Sequence, residues 1–289
     1  MKIFAAVPTY NRPDCLLKNI NCLIKQDHVI EKIIIVDNAS DSETRKVLQK
    51  FGHLSNPRIH YVRLDKNIGS SGGFRVAMEV AVNQGAEWIW GMDDDAFPRE
   101  DALSKLIDIH VSEGYHCLWS NPDEDTDFEG PVKYVKHLMF VGYLVSREIV
   151  DKIGFPDQNF YMYHDDTEYS QRIINHGFAI VKVRDSVIDH KGYDKRGVPL
   201  TTYNLLICRF TVLNSEPYRI YYIFRNTFFI KRKGIERSAY LIRTIFLSFP
   251  KYLISRPKSG VAIFIAVYHY FINKRGYTKF PASFYRKYS

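Results

Sequence analysis

The sequence has few cysteines and no apolar run long enough to cross a membrane. Its four cysteines form no C-x-x-C pair: Cys15, Cys22, Cys117 and Cys208. This pattern indicates neither a disulfide framework nor a zinc site, and it is typical of a protein in a reducing cytoplasm. The longest apolar stretches, 239–254 and 260–273, are interrupted or too short for the roughly 18 to 20 residues that a span needs. The run Met1 to Pro8 is too short for a signal peptide, and we predict that it forms a first buried strand.

Acidic residues are scarce in the last third of the chain. Residues 191–289 contain 19 Lys or Arg and only three acids, Asp194, Glu216 and Glu236, which gives +16. The rest has 40 − 19 = 21 bases and 32 − 3 = 29 acids, or −8. A basic segment interleaved with aromatic and aliphatic residues is typical either of a surface that lies on an anionic membrane or of a solvated helical face. No nucleic-acid motif is present, so we do not expect nucleic acid as a partner.

The first half of the chain alternates short apolar runs with helical patterns. We predict strands at 3–7, 32–36, 59–64 and 87–92, with helices near 13–26, 42–51 and 73–84. Such alternation is typical of an α/β fold, a mostly parallel sheet covered by helices on both faces. We place this domain at 1–192. Beyond it, 193–289 is predicted to be a helical, basic and aromatic region.

Polar residues follow each predicted strand. They are Thr9-Tyr10-Asn11-Arg12, Asp37-Asn38, the stretch Asp65 to Gly73, and Asp93-Asp94-Asp95. Ligands of parallel α/β sheets bind beyond the carboxyl ends of the strands. We therefore expect one site along this rim of the sheet.

The aspartate triplet Asp93-Asp94-Asp95 is the most informative feature of the sequence. Adjacent anions repel one another, so they are stable where water or a hard divalent cation neutralises them, and oxygen-rich ligand sets select Mg²⁺ or Mn²⁺. The alternative interpretation is a solvated turn or the N-cap of the helix predicted downstream. The rest of the sequence favours the metal site.

Three further groups of residues could take part in catalysis or in binding a metal or a phosphate. Asp165 and Asp166 precede a helix predicted at 167–175; one carboxylate suffices as an N-cap, and the second can act as a general base. His190 follows a strand predicted at 178–183 and can complete a metal site with two triplet carboxylates, although a lone histidine is commonly structural. The glycine-rich stretch 67–73 can present backbone N–H groups to a phosphate or form an ordinary turn, and its spacing differs from the dinucleotide fingerprint.

Taken together, these motifs resemble the inverting, GT-A-fold glycosyltransferases of family 2. The resemblance covers about residues 1–192 and rests on an ordered set: Val7 to Arg12, Ile35 to Ser40, Asn67-Ile68-Gly69 with Gly72-Gly73, Met92 to Asp95, Asp165 to Tyr169, and His190. Within the family the chain is most like bacterial galactofuranosyltransferases. It is much shorter than the polymerising members and lacks their large amino-terminal domain, so processive synthesis is not expected.

The resemblance implies a role for individual residues. Asp93, Asp95 and His190 would bind Mn²⁺ or Mg²⁺, and Asp166, beside Asp165, would be the catalytic base. Asp93 and Asp94 would also contact the nucleotide sugar. The rest of the nucleotide-sugar pocket would be formed by Pro8, Thr9, Tyr10, Arg12, Asp37, Asn38, Asn67, Gly72 and Gly73.

The resemblance also implies an activity and a location. The enzyme would transfer galactofuranose from UDP-galactofuranose onto a lipid-linked bacterial surface polysaccharide of O-antigen or capsule type. It would work in the cytoplasm, peripherally on the inner face of the cell membrane. The alternatives are the same chemistry with dTDP-rhamnose or UDP-galactose, a nucleotidyltransferase, or a non-catalytic sugar-nucleotide-binding protein. A nucleotidyltransferase usually has a basic glycine-rich loop after its first strand, where this chain has Pro8 to Arg12.

Overall fold

The structure, a computed structural model, describes residues 1–122, 124, 129–190, 200–204, 209–230 and 235–285. The chain divides into two compact units. The first comprises Met1–Gln158 and Asp165–Tyr193, and the second comprises Asn159–His164 and Asp194–Ser289. The sequence boundary proposed after residue 192 lies outside the described residues and remains a prediction.

The first unit is built on a mixed sheet with the strand order β3-β2-β1-β4-β8-β6-β9-β5, and β7 also pairs with β9. Its strands are β1 Ile3–Thr9, β2 Lys32–Asp37, β3 Ile59–Arg63, β4 Trp88–Met92, β5 Ala96–Pro98, β6 Cys117–Asn121, β7 Val132–Val135, β8 Val141–Ser146 and β9 Ile180–His190. The four strands predicted in the first half pair in parallel, whereas β8 runs antiparallel to β4. β1, β4 and β8 are buried along their whole length, as strands covered on both faces must be.

Helices pack against both faces of this sheet. They are α1 Pro13–Ile24, α2 Ser42–Lys50, α3 Gly69–Asn83, α4 Ala102–Glu113, α5 Arg147–Ile153 and α6 Asp165–Asn175. Two separate apolar clusters fill the space between helices and sheet. One contains Leu16 of α1 with Trp90, and the other contains Phe74 of α3 with Tyr143. The predicted α/β class is confirmed.

β9 is longer than the sequence predicted. The predicted strand at 178–183 continues to His190, and its end pairs antiparallel with β5, with Ala96 opposite His190. β5 has only three residues and directly follows the aspartate triplet. This short pairing is what brings His190 next to residues that are about 95 positions earlier in the chain.

The second unit contains a hairpin that the sequence analysis did not predict. Its strands are β10 Leu200–Asn204 and β11 Arg209–Leu213, paired antiparallel, in a region predicted to be helical. Along β11, Phe210 and Val212 are buried whereas Arg209 and Thr211 are exposed, and this alternation is the period-two signal of a strand. The remainder is helical: α7 Pro217–Ile230, α8 Ile235–Arg243, a π-helical turn Thr244–Ser248, α9 Phe249–Ser255 and α10 Pro257–Phe271.

The six residues Asn159–His164 are held within the second unit by α7. Tyr161, Tyr163 and His164 have positive φ angles of 66°, 62° and 63°, which non-glycine residues rarely adopt. The two amide hydrogens of buried Asn226 are shared among the carbonyls of residues 160, 162 and 163, whose oxygens lie 2.8 to 2.9 Å from Nδ2. Arg225 donates to the carbonyls of residues 159 and 160. A strained stretch persists where its surroundings fix it, and this one continues directly into Asp165.

Across the described parts of both units, we find no helix that is long and apolar enough to span a bilayer.

Candidate active site

The aspartate triplet lies where β4 ends, at the carboxyl edge shared with the parallel strands β1 and β2. Asp94 is buried, whereas Asp93 and Asp95 are partly exposed. Burial and the charges of Asp95 and Asp94 raise the pKa of Asp93 well above its usual range. Removing carboxylates from water disfavours their charged forms, and crowding them adds repulsion. Positive charge placed next to these carboxylates would therefore stabilise their charged forms.

The loop after β1 supplies some of that charge. Thr9 donates a 2.6 Å hydrogen bond to Oδ2 of Asp94, and the guanidinium of Arg12 lies 2.6 Å from Oδ2 of Asp95 and 3.3 Å from Oδ1 of Asp94. Burial raises the pKa of Asp94, and the contacts with Thr9 and Arg12 oppose this shift. Thr9 and Arg12, predicted to line a nucleotide pocket, thus contact the triplet directly.

His190 lies beside the same carboxylates. Its Nε2 is 3.2 Å from Oδ1 of Asp95. Although burial alone would raise the pKa of Asp95, its hydrogen bond with His190 and the charge of Arg12 lower the pKa below the usual value. One potential ligand atom each from Asp93, Asp95 and His190 lies within 4.8 Å of the others.

This cluster fits a divalent cation on chemical grounds. Two carboxylates and one imidazole are a donor set suited to Mn²⁺ and related ions. A bound cation would also relieve the repulsion that raises the pKa of Asp93. The structure brings together all three residues that the sequence suggested as metal ligands.

Asp165 and Asp166 occupy the first turn of α6, two residues earlier than the predicted start of this helix. Carboxylates are stabilised at this end by the helix dipole. Burial, followed by the charge of Asp166, raises the pKa of Asp165 to about 7, and Ser70 donates to its Oδ2 at 3.1 Å. The side chain of Asp166 is 25% exposed, its Oδ1 accepts from the Thr167 amide, and its Oδ2 lies 3.8 Å from Nε2 of His137. Asp166 is thus the more accessible carboxylate of the pair.

The two acidic groups are within electrostatic reach of each other. The charge of Asp165 contributes to the raised pKa of Asp93, after burial and the charges of Asp95 and Asp94. Both also raise the pKa of the buried phenol of Tyr143, for which burial is the main cause. Charge added near either group will therefore affect the other.

The residues that follow β2 are tied to the neighbouring loops. The carboxylate of Asp37 is fully buried, and it accepts hydrogen bonds from the Ser40 amide at 2.7 Å and from the hydroxyl of Tyr61. Asn38 donates to the carbonyl of residue 69 at 3.1 Å, and Asn67 accepts from the amide of the same residue at 2.8 Å. These bonds show how the loops are held together; contacts of Asp37, Asn38 and Asn67 with a nucleotide remain predictions.

The glycines of the 67–73 stretch have a packing role. A Cβ atom on Gly73 would lie 2.7 Å from the Asn38 amide and 2.8 Å from Cβ of Pro8, and one on Gly72 would overlap the side chain of Ile68. Glycine therefore lets the start of α3 lie close to the ends of β1 and β2. Tyr10, which follows β1, is by contrast 47% exposed. Contacts of Pro8, Tyr10, Gly72 and Gly73 with a ligand remain predictions.

Sequence reasoning did not identify several polar neighbours of the site. Ser70 contacts Asp165, His137 contacts Asp166, and Tyr61 contacts Asp37. Ser70 lies within the glycine-rich stretch 67–73, and its hydroxyl beside these glycines is a local signal of a polar contact there. His137 and Tyr61 carry no local signal, because only the folded chain brings them to these carboxylates.

Comparisons with known proteins identify the family of the chain. The sequence model described as "Glycosyl transferase family 2" matches residues 5–182. The galactofuranosyltransferase GlfT1 of Mycobacterium tuberculosis is 26% identical over 217 residues, covering 65% of this chain and 69% of the relative. The dTDP-rhamnosyl transferase RfbF of Shigella flexneri is 25% identical over 258 residues, covering 80% of each chain.

A solved structure with the same fold covers nearly the whole chain. The mannosyltransferase PcManGT of Pyrobaculum calidifontis, solved with GDP-Man and Mn²⁺, superposes with a TM-score of 0.61 at 14% identity. The match covers 94% of this chain and 88% of that one. At this identity the likeness concerns the fold alone.

Proposed function

We propose, from the premise that the chain belongs to glycosyl transferase family 2, that it transfers galactofuranose from UDP-galactofuranose with inversion and with the help of a divalent cation. The chain is a hexosyltransferase of the GT-A fold. The donor, the acceptor and the residue roles given below are our proposal.

One observation carries the catalytic part of this proposal. Asp93, Asp95 and His190, which come from two distant stretches of sequence, present ligand atoms within 4.8 Å of one another at the carboxyl edge of the sheet. We assign them to Mn²⁺ or Mg²⁺, and Mn²⁺ is supported by the nitrogen ligand. When bound, the cation would supply Lewis-acid neutralisation of the diphosphate leaving group.

The protein side chains would carry the remaining steps. Asp166, the more accessible acid of its pair, would accept the proton of the acceptor hydroxyl as the sugar's anomeric bond to the diphosphate breaks. Asp165 would keep the charge at this helix end low, since its raised pKa of about 7 makes it partly protonated near neutral pH. The displacement is single, and therefore inverts the anomeric configuration.

Around this centre, we assign the nucleotide sugar to the loops that follow β1, β2 and β3. Asp94 and Arg12 would contact the sugar or the diphosphate, and Thr9 would hold Asp94 in place by the hydrogen bond described above. The predicted contacts of Pro8, Tyr10, Asp37, Asn38, Asn67, Gly72 and Gly73 belong to the same proposal.

The relatives guide the choice of donor. The galactofuranosyltransferase relative supports UDP-galactofuranose. The resemblance of the D-D-D motif, and of the interval from Asp165-Asp166 to His190, to galactofuranosyltransferases supports the same donor. The rhamnosyltransferase relative matches a larger share of both chains, 80%, and supports dTDP-rhamnose as the second candidate. UDP-galactose is a third donor of the same class.

For the acceptor we propose a lipid-linked bacterial glycan of O-antigen or capsule type. Such acceptors are held in a membrane, so an enzyme that uses them gains from lying peripherally on the inner, cytoplasmic face. The excess of Lys and Arg after residue 190 supports this placement, because anionic lipids attract basic segments.

A donor screen tests the proposal. The purified protein is heated with Mn²⁺ and each nucleotide sugar in turn, because a ligand that binds only the native state raises the melting temperature. We expect UDP-galactofuranose to give the largest shift, and only with the metal present. The best donor is then tested for transfer to a synthetic lipid-linked acceptor. A larger shift with dTDP-rhamnose would favour the second candidate, and no shift with any nucleotide sugar would contradict the proposal.

A further inference from the structure

Helix α10 is apolar on both of its faces. One face packs into the core of the second unit through Ala262, Ile263, Ala266 and Tyr270. The opposite stripe is exposed and has helical spacing i, i+3, i+7, i+10: Val261, Phe264, Tyr268 and Phe271. A surface helix of a globular protein normally carries polar side chains on its outer face. The outer face of α10 therefore has the composition of a covered surface.

The helical run of α8, the π-helical turn and α9 continues this surface. Its exposed side chains include Ile242, Phe246 and Leu253. Pro250 lacks an amide hydrogen, which accounts for the altered hydrogen bonding in the turn that precedes it. The aromatic rings of Phe249 and Phe264 lie 6.3 Å apart, which links this run with the outer face of α10.

Close packing of α9 on α10 makes the exposed surface continuous. A Cβ atom on Gly260 would lie 2.8 Å from Cα of Leu253, so the two helix backbones touch at this glycine. We call the joint surface of exposed apolar side chains on α8, the π-helical turn, α9 and α10 the apolar face. Seven of its members are each more than half exposed: Ile242, Phe246, Leu247, Ile254, Phe264, Tyr268 and Phe271.

The apolar face is large for a surface that remains in water. Phe246, Phe264 and Phe271 are 70%, 62% and 63% exposed. With about 150 to 250 Å² per aromatic side chain, these three alone present on the order of 300 to 400 Å². Contiguous apolar patches of a few hundred Å² typically mark an interaction surface.

The charge around the apolar face has one sign. Residues 237–289 contain ten Lys or Arg and neither Asp nor Glu. Arg243, Lys258 and Lys274 are exposed on or beside the helices that form the face. The surface thus combines exposed apolar side chains with a cationic border. A partner that is both apolar and anionic would be complementary to it.

We infer that the apolar face inserts into the interfacial layer of an anionic lipid bilayer, with Phe246, Phe264 and Phe271 among the acyl chains and the cationic side chains at the headgroups. Amphipathic helices with aromatic and aliphatic residues bordered by Lys and Arg bind in this way. The inference specifies the surface by which the membrane placement of the proposed function would be achieved, and it rests on that function only for the identity of the acceptor.

A second copy of the chain fits the apolar face less well. A symmetric dimer through this surface would place two cationic borders against each other, and like charges at close range oppose association. A nucleic acid would use the charge but would leave the phenylalanines in water. The bilayer is the partner that satisfies both observations.

Vesicle binding by the full chain tests the inference. The probe is a vesicle of phosphatidylcholine with about 30% phosphatidylglycerol, compared with pure phosphatidylcholine, because anionic headgroups supply the attraction. The variant Phe246→Ser/Phe264→Ser removes two members of the apolar face. Phe51→Ser is the matched control, since Phe51 is 55% exposed in the first unit. Melting temperature and metal-dependent donor hydrolysis are measured in parallel to confirm that each variant is folded and active.

We expect the wild type and Phe51→Ser to co-sediment with anionic vesicles. The double variant should bind on the order of 100-fold more weakly, about tenfold for each aromatic side chain withdrawn from lipid, while its donor hydrolysis stays unchanged. Equal binding by the double variant, or no binding by the wild type, would overturn the inference. So would a wild-type dimer that the double variant converts to a monomer. If the wild type shows no donor hydrolysis, the proposed function is overturned, but the result of the vesicle experiment still holds.

Discussion

Nε2 of His190 lies 3.2 Å from Oδ1 of Asp95, although 95 residues separate them in the sequence. The contact exists because the three-residue strand β5, which begins at Ala96, pairs with the last residues of β9. Register fixes the geometry: Ala96 is opposite His190, so the residue before Ala96 must lie next to the imidazole. The proposed metal centre is thus a product of sheet topology, and its predictions can be tested one residue at a time.

Substitution of the proposed base should abolish transfer and spare donor binding. Asp166→Asn keeps the shape of the side chain and its acceptor for the Thr167 amide, but it cannot accept a proton. We expect kcat to fall by about 10² to 10⁴. The melting shift with Mn²⁺ and donor should be retained. Asp151→Asn, on the exposed side of α5, is the control; transfer at the wild-type rate by Asp166→Asn would refute the assignment.

Metal affinity should increase with pH. The pKa of Asp93 is raised by burial and by its neighbours, so in the metal-free protein this carboxyl holds a proton to higher pH than usual. A cation binds the deprotonated form, so binding releases a proton and strengthens as pH rises through the raised pKa values, including that of Asp165 at about 7. Calorimetry in two buffers of different ionisation enthalpy, at about pH 6 to 8, counts the released protons. Asp93→Asn should weaken Mn²⁺ binding and lower the number of protons released per bound ion, and pH-independent Mn²⁺ affinity of the wild type would contradict the account.

Removal of the Thr9 hydroxyl should destabilise the protein more at high pH than at low pH. Thr9→Val leaves the buried Asp94 without a 2.6 Å donor, at a cost of about 1.5 to 3 kcal/mol when the carboxylate is charged. The pKa of Asp94 is already raised by burial, and loss of Thr9, which opposes that shift, should raise it further. A group with a raised carboxyl pKa is penalised as pH rises through that value. Urea unfolding at about pH 5 and 8 measures the difference. The exposed Thr202→Val is the control, and an equal loss at both pH values would exclude this explanation.

The hydrogen bonds by which Asn226 holds residues 159–164, here called the clamp, should affect both the melting temperature and kcat. Asn226→Ala removes the amide that bonds the carbonyls of residues 162 and 163 and that shares the carbonyl of residue 160 with Arg225. Each buried carbonyl left unsatisfied costs about 1 to 3 kcal/mol. The melting temperature should fall by several degrees. Because the released stretch includes three left-handed residues and runs into Asp165, kcat should fall as well. Asn83→Ala, at the exposed end of α3, should change neither quantity; an unchanged melting temperature in Asn226→Ala would show that the clamp is unimportant.

The sequence predicted those parts of the fold that local pattern determines. The strands of the first half and the helices between them follow from apolar runs and from helix signals such as Pro13, and the parallel arrangement follows from their alternation. The carboxyl-edge location of the aspartate triplet follows from the same rule. The hydrogen bonds of Thr9 and Arg12 to the triplet agree with that shared edge.

Other features depend on pairings that no local pattern encodes. β5 has only three residues and gives no recognisable strand pattern. Because the end of β9 is a strand through its pairing with β5, the residues 178–190 alone do not predict that β9 extends to His190. The hairpin of β10 and β11 lies in a segment rich in aromatic and basic residues, and this composition favours a helix in the sequence analysis. The contacts of His137 with Asp166 and of Asn226 with the carbonyls before α6 join residues that are distant in sequence. Such contacts are set by tertiary packing, which outweighs local propensity.

Direct measurement of Mn²⁺ binding to His190→Ala tests the central claim. With UDP present, the affinity of the wild type and of each variant for Mn²⁺ is determined by electron paramagnetic resonance of the free ion. His176→Ala, which removes an exposed histidine at the end of α6, is the matched control. If His190 shares one cation with Asp93 and Asp95, His190→Ala should bind Mn²⁺ on the order of 100-fold more weakly, while His176→Ala binds as the wild type does. Wild-type affinity in His190→Ala would contradict the account.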